Sequence, residues 1–285
     1  MTHDGRVWLI TGCSAGFGRE LALAASAAGD RVMATARQPE RLAALVAAGG
    51  GRVRTAPLDV TDEEQVAAAV ARTLAEFGRI DVVVNNAGHG SVGAVEELDL
   101  ADLRALLDVM FFGAVAVTKA VLPHLRAQGG GAIIQLSSMG GQVTMPGFGA
   151  YCAAKFALEG LSEALAAEVA PFGVRVLIVE PGAFRTEFGG ERMHRSPTID
   201  AYAVSTGPTR AAVDGMDGTQ PGDPRKAARA ILEVLDSVDP PLRLALGNDA
   251  VDAIAAHHDL LRRDLTRWER LSRATDLDRC WPSAS

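Results

Sequence analysis

Up to about residue 180, short runs that are apolar at nearly every position alternate with longer stretches whose apolar residues recur at helical spacing. The runs are 6–11, 31–36, 52–58, 80–85, 132–137 and 174–179. A strand buried on both faces has this pattern, because neither face can carry a polar row. The helical stretches lie near 17–28, 39–48, 62–76, 102–126 and 149–170. Such alternation predicts right-handed strand–helix–strand units, hence a parallel sheet with helices on both sides. Element ends carry their own signals. Thr61 and Glu64 have capping-box spacing, and Asp99 and Asp102 mark a further helix start. Pro39 and Pro224 suit first-turn positions, the latter behind Asp223 as N-cap.

The alternation stops after Pro181 and Gly182. Residues 183–223 are rich in Gly, Pro, Thr, Ser and Asp and show no clear period. A connection this long in a compact domain is expected to be either a functional lid or disordered. Phe188, Met193, Tyr202 and Met216 offer an apolar face for a lid. A helix near 224–236, a short strand at 242–246 and a charged helix near 249–271 follow. The Arg/Asp-rich part, 259–273, is expected to be a solvated amphipathic face. With no repeat and no second core visible, the reading is one domain over 1–273 and a tail over 274–285.

Composition narrows the classes. Of 285 residues, 48% are hydrophobic and 22% charged, which excludes an intrinsically disordered chain. Only 5% are aromatic and the net charge is −7, so nucleic acid is not an expected partner. No unbroken apolar run reaches the roughly 20 residues of a membrane span, so no membrane partner is expected either. Cys13, Cys152 and Cys280 are scattered and the histidines lack ligand spacing. Neither a disulfide framework nor a metal site is expected, and the N-terminus shows no secretory pattern; a reducing cytoplasm fits.

Candidate chemistry begins where the first apolar run meets Thr11-Gly12-Cys13-Ser14-Ala15-Gly16-Phe17-Gly18 and then a helix. Glycines spaced G-x-x-x-G-x-G at that junction let backbone approach a pyrophosphate lying at a helix N-terminus. Glycine also serves plain turns, but the strand–loop–helix context favours a dinucleotide loop. The second run ends in Arg37, with no acid there to bind an adenosine 2′-hydroxyl. A guanidinium suits a 2′-phosphate instead, with Ser14 as a further donor, so NADP(H) is favoured over a merely solvated arginine. Tyr151 and Lys155 lie four apart on a helical stretch and share a face. An ammonium beside a phenol is expected to lower its pKa. Taken alone this pair is common on amphipathic helices. Ser137 and Ser138, closing a strand thirteen residues upstream at the ligand-binding edge of such a sheet, change its meaning.

With these residues assembled, the sequence resembles the classical short-chain dehydrogenase/reductase family. The resemblance rests on Gly12, Gly16 and Gly18, on Asp59-Val60, on Asn85-Asn86-Ala87-Gly88, on Ser138, on Tyr151 with Lys155, and on Pro181-Gly182 with Thr186, in order over about residues 5–186. Tyr151-Cys-Ala-Ala-Lys-Phe-Ala-Leu-Glu-Gly-Leu161 and Thr11-Gly-Cys-Ser14 are similar to the 17β-hydroxysteroid and retinol dehydrogenase branch. The resemblance implies a Rossmann-type, doubly wound α/β domain of about seven strands. It implies that Tyr151 exchanges a proton with the substrate oxygen, that Ser138 polarises that oxygen, and that Lys155 binds the nicotinamide ribose and tunes Tyr151. It also implies that Asp59 and Val60 contact adenine, that Asn86, Ala87 and Gly88 line the adenosine side, and that residues 181–186 hold the carboxamide. Subunits of the family pair through helices matching 102–126 and 149–170, so a homodimer is expected, with a tetramer possible.

One position departs. Met110 stands where the family has an asparagine that anchors a relay water, and a thioether is a weak acceptor with no donor. Two readings follow: an NADP(H)-dependent oxidoreductase acting on a small apolar ketone, aldehyde or alcohol, or a cofactor-binding sensor or scaffold with weak turnover. His89 is expected either near the nicotinamide or in solvent, and Cys152 as a packing residue.

Overall fold

The computed structural model describes residues 5–190 and 193–277; Cys280 and most of the expected tail lie outside them. In chain order the elements begin β1 (Val7–Ile10), α1 (Gly16–Ala27), β2 (Arg31–Ala36), α2 (Ala43–Ala48), β3 (Val53–Pro57), α3 (Glu63–Phe77) and β4 (Val82–Asn85). Then come β5 (Ser91–Val92), α4 (Leu100–Leu107), α5 (Gly113–Gln128), β6 (Gly131–Leu136), α6 (Gly149–Val169) and β7 (Val174–Pro181). The chain continues with β8 (His194–Arg195), α7 (Ala203–Gly215), α8 (Pro224–Asp236), β9 (Arg243–Leu246) and α9 (Asn248–Arg273).

Seven of the strands form one parallel sheet in the order β3-β2-β1-β4-β6-β7-β9. This is a Rossmann fold, as expected. Successive side chains of a strand point to opposite faces, and the core divides accordingly. Trp8, Ile10, Val32, Val84 and Ile134 pack with Leu21 of α1 and Ile231 and Leu235 of α8. Leu9, Met33, Val83 and Ile133 pack on the other face with Val66 and Val70 of α3, Val121 and Leu125 of α5, and Leu165 of α6. The chain reverses its winding direction between β1 and β4, and a crevice opens there at the carboxyl ends of the strands.

Three local expectations are corrected. Thr61 does not cap α3, because its hydroxyl donates to Asp59 at 2.7 Å. Asp62 is the cap, accepting from the amides of Glu64 (3.0 Å) and Gln65 (3.1 Å). The helix expected over 102–126 is longer and uneven, with a π turn at Asp108–Phe112 joining α4 to α5. The whole of Leu100–Gln128 has the length and composition of a membrane-crossing helix, although charged residues interrupt its apolar runs. Leu106, Met110, Val117, Val121 and Leu125 face the interior of this fold.

The third correction concerns 183–223, which is not a plain loop. β8 pairs in parallel with β5, and α7 follows. Gly207 and Pro208 hid this helix from the sequence pattern, since both break helices in isolation. Tertiary contacts hold it: Val213 and Thr206 are buried, and the Thr206 hydroxyl donates to Tyr202 O at 3.1 Å. In α9, Ile254 is buried, whereas Leu260, Leu261, Leu265, Trp268 and Leu271 are exposed.

Candidate active site

The carboxyl ends of β1, β4, β6 and β7 open into a cleft of about 1660 Å³. The glycine loop forms one wall. Gly12 and Gly16 have φ of +71° and +58°, values an L side chain resists. A Cβ on Gly18 would stand 2.7 Å from the Gly12 carbonyl oxygen and 2.5 Å from the Asn86 amide nitrogen. Gly18 therefore packs the start of α1 beneath the cleft and does not line it. Asn86 is correspondingly turned inward: its side chain donates to Thr11 O (2.8 Å) and Gly12 O (3.0 Å), fastening the end of β4 to the loop. The Thr11 hydroxyl accepts the amides of Asn86 (2.9 Å) and Ala87 (3.0 Å).

Ser14, Gly16, Phe17, Arg37, Asp59, Val60, Ala87 and Gly88 line the same wall, and Arg41 joins Arg37 at its far end. Arg41 was missed in the sequence, although Arg37-x-x-x-Arg41 across a helix start is a legible spacing. Phe17 packs its ring 5.1 Å from that of Phe184. Pro181, Gly182 and Thr186 close the opposite side. Gly182 donates to Leu246 O at 2.9 Å, and the Ala183 amide to Asp249 at 2.6 Å, so β9 and α9 fix this segment.

At the centre, Ser138 shares a hydrogen bond with Tyr151, and the Gly140 amide donates to the Ser138 oxygen at 3.0 Å. Lys155 donates to the carbonyl of Leu136 at 2.5 Å, and its ammonium lies 5.8 Å from the Tyr151 ring centre. The expected lowering of the tyrosine pKa is reversed here. Burial pushes the phenol well above its ordinary value, and the Ser138 hydrogen bond opposes this only in part. Burial also brings the Lys155 ammonium down to about 8, against the pull of Glu159.

Apolar side chains surround Tyr151. Phe148 and Phe188 meet its ring edge-on at 6.0 and 5.3 Å. Met145, Phe184, Val213 and Met216 extend this lining; Phe148 gave no sequence signal of its own. Of the expected lid residues, Phe188 and Met216 reach the cleft. Met193 packs behind it against Gly90, and Tyr202 bonds to Glu96 on the outside. Met110 is buried among Leu106, Ala150, Tyr151, Cys152 and Ala154. His89 lines the cleft, and burial lowers its pKa, with His194 and Arg37 adding to this. Cys152 is a packing thiol, its pKa pushed up to about 11 by burial.

The cleft fits a nicotinamide dinucleotide. Backbone at Gly12 and Gly16 is bare where a pyrophosphate would approach, helix α1 points its N-terminus there, and the guanidiniums of Arg37 and Arg41 line the same cleft. The comparisons agree. The family model described as short chain dehydrogenase matches residues 6–196. Oxidoreductase BOA17 of Botryotinia fuckeliana is 42% identical over 95% of this chain and 99% of its own. The 3-ketodihydrosphingosine reductase of Bacteroides thetaiotaomicron is 38% identical over 85% and 88%, and retinol dehydrogenase 8 of Bos taurus 36% over 85% and 82%. A short-chain dehydrogenase from Streptomyces avermitilis superposes with a TM-score of 0.91 at 53% identity, covering 97% of this chain and 100% of that one. An alcohol dehydrogenase from Thermococcus sibiricus, solved with 5-hydroxy-NADP, gives 0.70 at 27% identity over 85% and 96%. A Burkholderia phymatum protein solved with NAD shares the fold at 0.81, with 21% identity over 93% and 96%. A nicotinamide cofactor is thus typical of these neighbours.

The wall carrying Val213 and Met216 is anchored from outside by Arg210, which donates to the buried Glu97 carboxylate at 2.6 Å. Glu97 also accepts the amides of Ile199 (2.8 Å) and Ala94 (2.7 Å). These bonds, with Arg210, hold its carboxyl down at about 2 against an ordinary 4.5. The folded-state value is depressed, so the anchor is at full strength above pH 4.5 and weakens as pH falls towards 2. Arg210→Met should make cleavage within 203–215 severalfold faster in limited proteolysis at neutral pH, while nucleotide affinity stays at the wild-type level.

Proposed function

The chain belongs to the short-chain dehydrogenase family, and from that premise we propose that it is an NADP(H)-dependent carbonyl reductase acting on an apolar ketone or aldehyde. The observation that carries this reading is the convergence of Ser138, Tyr151 and Lys155 against a wall of Phe148, Phe188, Val213 and Met216. The cofactor would supply hydride at its nicotinamide ring. The chain's own residues do the rest. Gly12, Gly16 and the first turn of α1 would receive the pyrophosphate, and residues 181–186 would bound the nicotinamide end. The Ser138 hydroxyl donates to the carbonyl oxygen and orients it beside Tyr151. Tyr151, buried and protonated at neutral pH, holds the proton that this oxygen takes up as the alcohol forms. Lys155 places a positive charge behind that phenol, where it stabilises the tyrosinate left after the transfer. The apolar wall excludes water, and the relative named as a 3-ketodihydrosphingosine reductase supports a ketone on an apolar chain.

The second reading, a cofactor-binding sensor, rests on Met110. Its thioether lies in an apolar cluster beside Tyr151 and offers no donor to a relay. The exposed rings of Phe112 (57%) and Phe156 (43%), on the two helical stretches expected to pair, support a homodimer built there.

Three measurements test this function. Tyr151→Phe removes only the phenolic oxygen, so turnover of a ketone panel should fall by at least a hundredfold with NADPH affinity retained. Turnover kept within a few-fold would mean another group gives the proton, and a wild-type protein that binds NADPH without turning over any ketone would favour the sensor. Arg37 is expected to make NADPH bind roughly tenfold to a hundredfold tighter than NADH, with Arg37→Ala erasing the difference in a fluorescence titration. Light scattering should give twice the 29.8 kDa of one chain.

A further inference from the structure

Ser137 and Ser138 are adjacent but bond to different partners. Ser138 bonds to Tyr151, whereas the Ser137 hydroxyl donates to the carboxylate of Glu159. Glu159 lies on α6 one turn beyond Lys155, and its side chain is buried. It fills the space left by Gly141, where a Cβ would overlap its carboxylate. Arg243 of β9 reaches in to pair with Glu159, with Glu180 of β7 at 2.6 Å and with Glu163 at 2.7 Å. Glu180, also buried, accepts from Gln142 at 2.6 Å, and Gln142 meets His258 of α9 at 2.6 Å.

Buried ions are costly unless they are paired, and an apolar packing of the same volume is often as stable. Stability alone is thus a weak reason for this cluster. Its placement gives a better one. It joins the end of β6, which carries Ser138, to the helix of Tyr151 and Lys155 and to the strand ending in Pro181. It also sets Glu159 and Glu180 against two buried or half-buried cations, Lys155 and Arg243.

We propose that Glu159 is a positioning residue of the active site: held by Ser137 and Arg243, it supplies the buried negative charge that keeps Lys155 an ammonium behind Tyr151. This role rests on the reductase reading above. Among the described residues, Lys155 meets the Leu136 carbonyl at the end of β6 and the Tyr151 ring on its own helix, with Glu159 one turn on. Beyond Glu159 stand Glu180 of β7 and Arg243 of β9. The π turn presents the uncharged Met110, while Asp102, Arg104 and Asp108 of α4 and that turn are exposed. Burial pushes the Glu159 carboxyl up, and its bonds to Ser137 and Arg243 oppose this; as a carboxylate, it is the group whose field at Lys155 opposes the burial penalty. Without it, Lys155 would lose its proton at a lower pH, and Tyr151 its neighbouring charge.

The chain has only three lysines, Lys119, Lys155 and Lys226. A titration of ¹³Cε-labelled lysine by NMR, on the protein without nucleotide, therefore reads Lys155 directly, assigned with Lys155→Met. Glu159→Gln keeps the shape of the contact, and Arg243 retains Glu180 and Glu163. The Lys155 midpoint should fall by about one pH unit in this variant, and the alkaline limb of kcat/KM should move the same way. Glu159→Asp should restore most of the shift. A folded Glu159→Gln protein whose Lys155 midpoint stays in place overturns the proposal, even if turnover drops, because a purely structural role would lower activity at every pH alike. Should that variant not fold, Glu159→Gln/Arg243→Gln is compared with Arg243→Gln alone: the Lys155 midpoint should lie about one pH unit lower in the double variant, and equal midpoints overturn the proposal. The titration needs no substrate, so a wild-type protein that reduces no ketone refutes the reductase reading without erasing this result.

Discussion

The burial of the Lys155 ammonium is the constraint around which the site is organised. A charge that deep must find compensation nearby, and it finds it in the Leu136 carbonyl and the field of Glu159. Both require the end of β6 and helix α6 to sit in fixed register. Burial of Tyr151 follows from the same packing, and it keeps the phenol protonated although a cation lies behind it. The two shifts have opposite signs in titration terms but one cause: removing water penalises tyrosinate and ammonium alike. At neutral pH the pair stands as phenol and, at a value of about 8, mostly as ammonium. That is the charge state from which a proton can be given to a carbonyl oxygen.

The sheet supplies the geometry this electrostatic arrangement needs. Parallel strands end together at one edge, so Thr11, Asn86, Ser138 and Pro181, distant in sequence, meet around one cleft. The winding reversal between β1 and β4 leaves room for a dinucleotide, and Gly18 lets α1 start close against Gly12 and Asn86. Opposite this polar wall, Phe148, Phe188, Val213 and Met216 form an apolar one. A charged group placed against that wall would lose its hydration without compensation, which is the physical basis of the proposed apolar substrate.

Strand–helix alternation made the fold legible, because strands buried on both faces have no other pattern. The glycine loop, Ser138, Tyr151 and Lys155 were legible for a related reason: their chemistry ties residue type to spacing. What failed to show depended on tertiary contact. Helix α7 carries Gly207 and Pro208 and stands because Val213, Thr206 and Arg210 are held from outside. Asp62 displaced Thr61 as a cap because Asp59 had already engaged that hydroxyl. Asn86 lines the cleft and also braces the glycine loop, a bond its motif did not announce, and Tyr202 looked like a lid residue but faces Glu96. The Glu159–Arg243–Glu180 cluster had no signature, since its members lie on α6, β9 and β7 and only the sheet order brings them together.

Met110 shows how far a local departure is absorbed. It sits in the π turn between α4 and α5, where the regular ladder of that long helix is already altered. The thioether borders the cleft and packs against the Gly88 backbone and Tyr151. What the substitution gives up is a polar anchor on one side of Lys155. On the other side, Ser137, Glu159, Arg243, Glu180 and Gln142 form an unbroken chain of polar contacts to His258 at the surface. The charge whose field opposes the burial penalty at Lys155 is thus held by residues of β7 and β9, outside the helix that Met110 occupies.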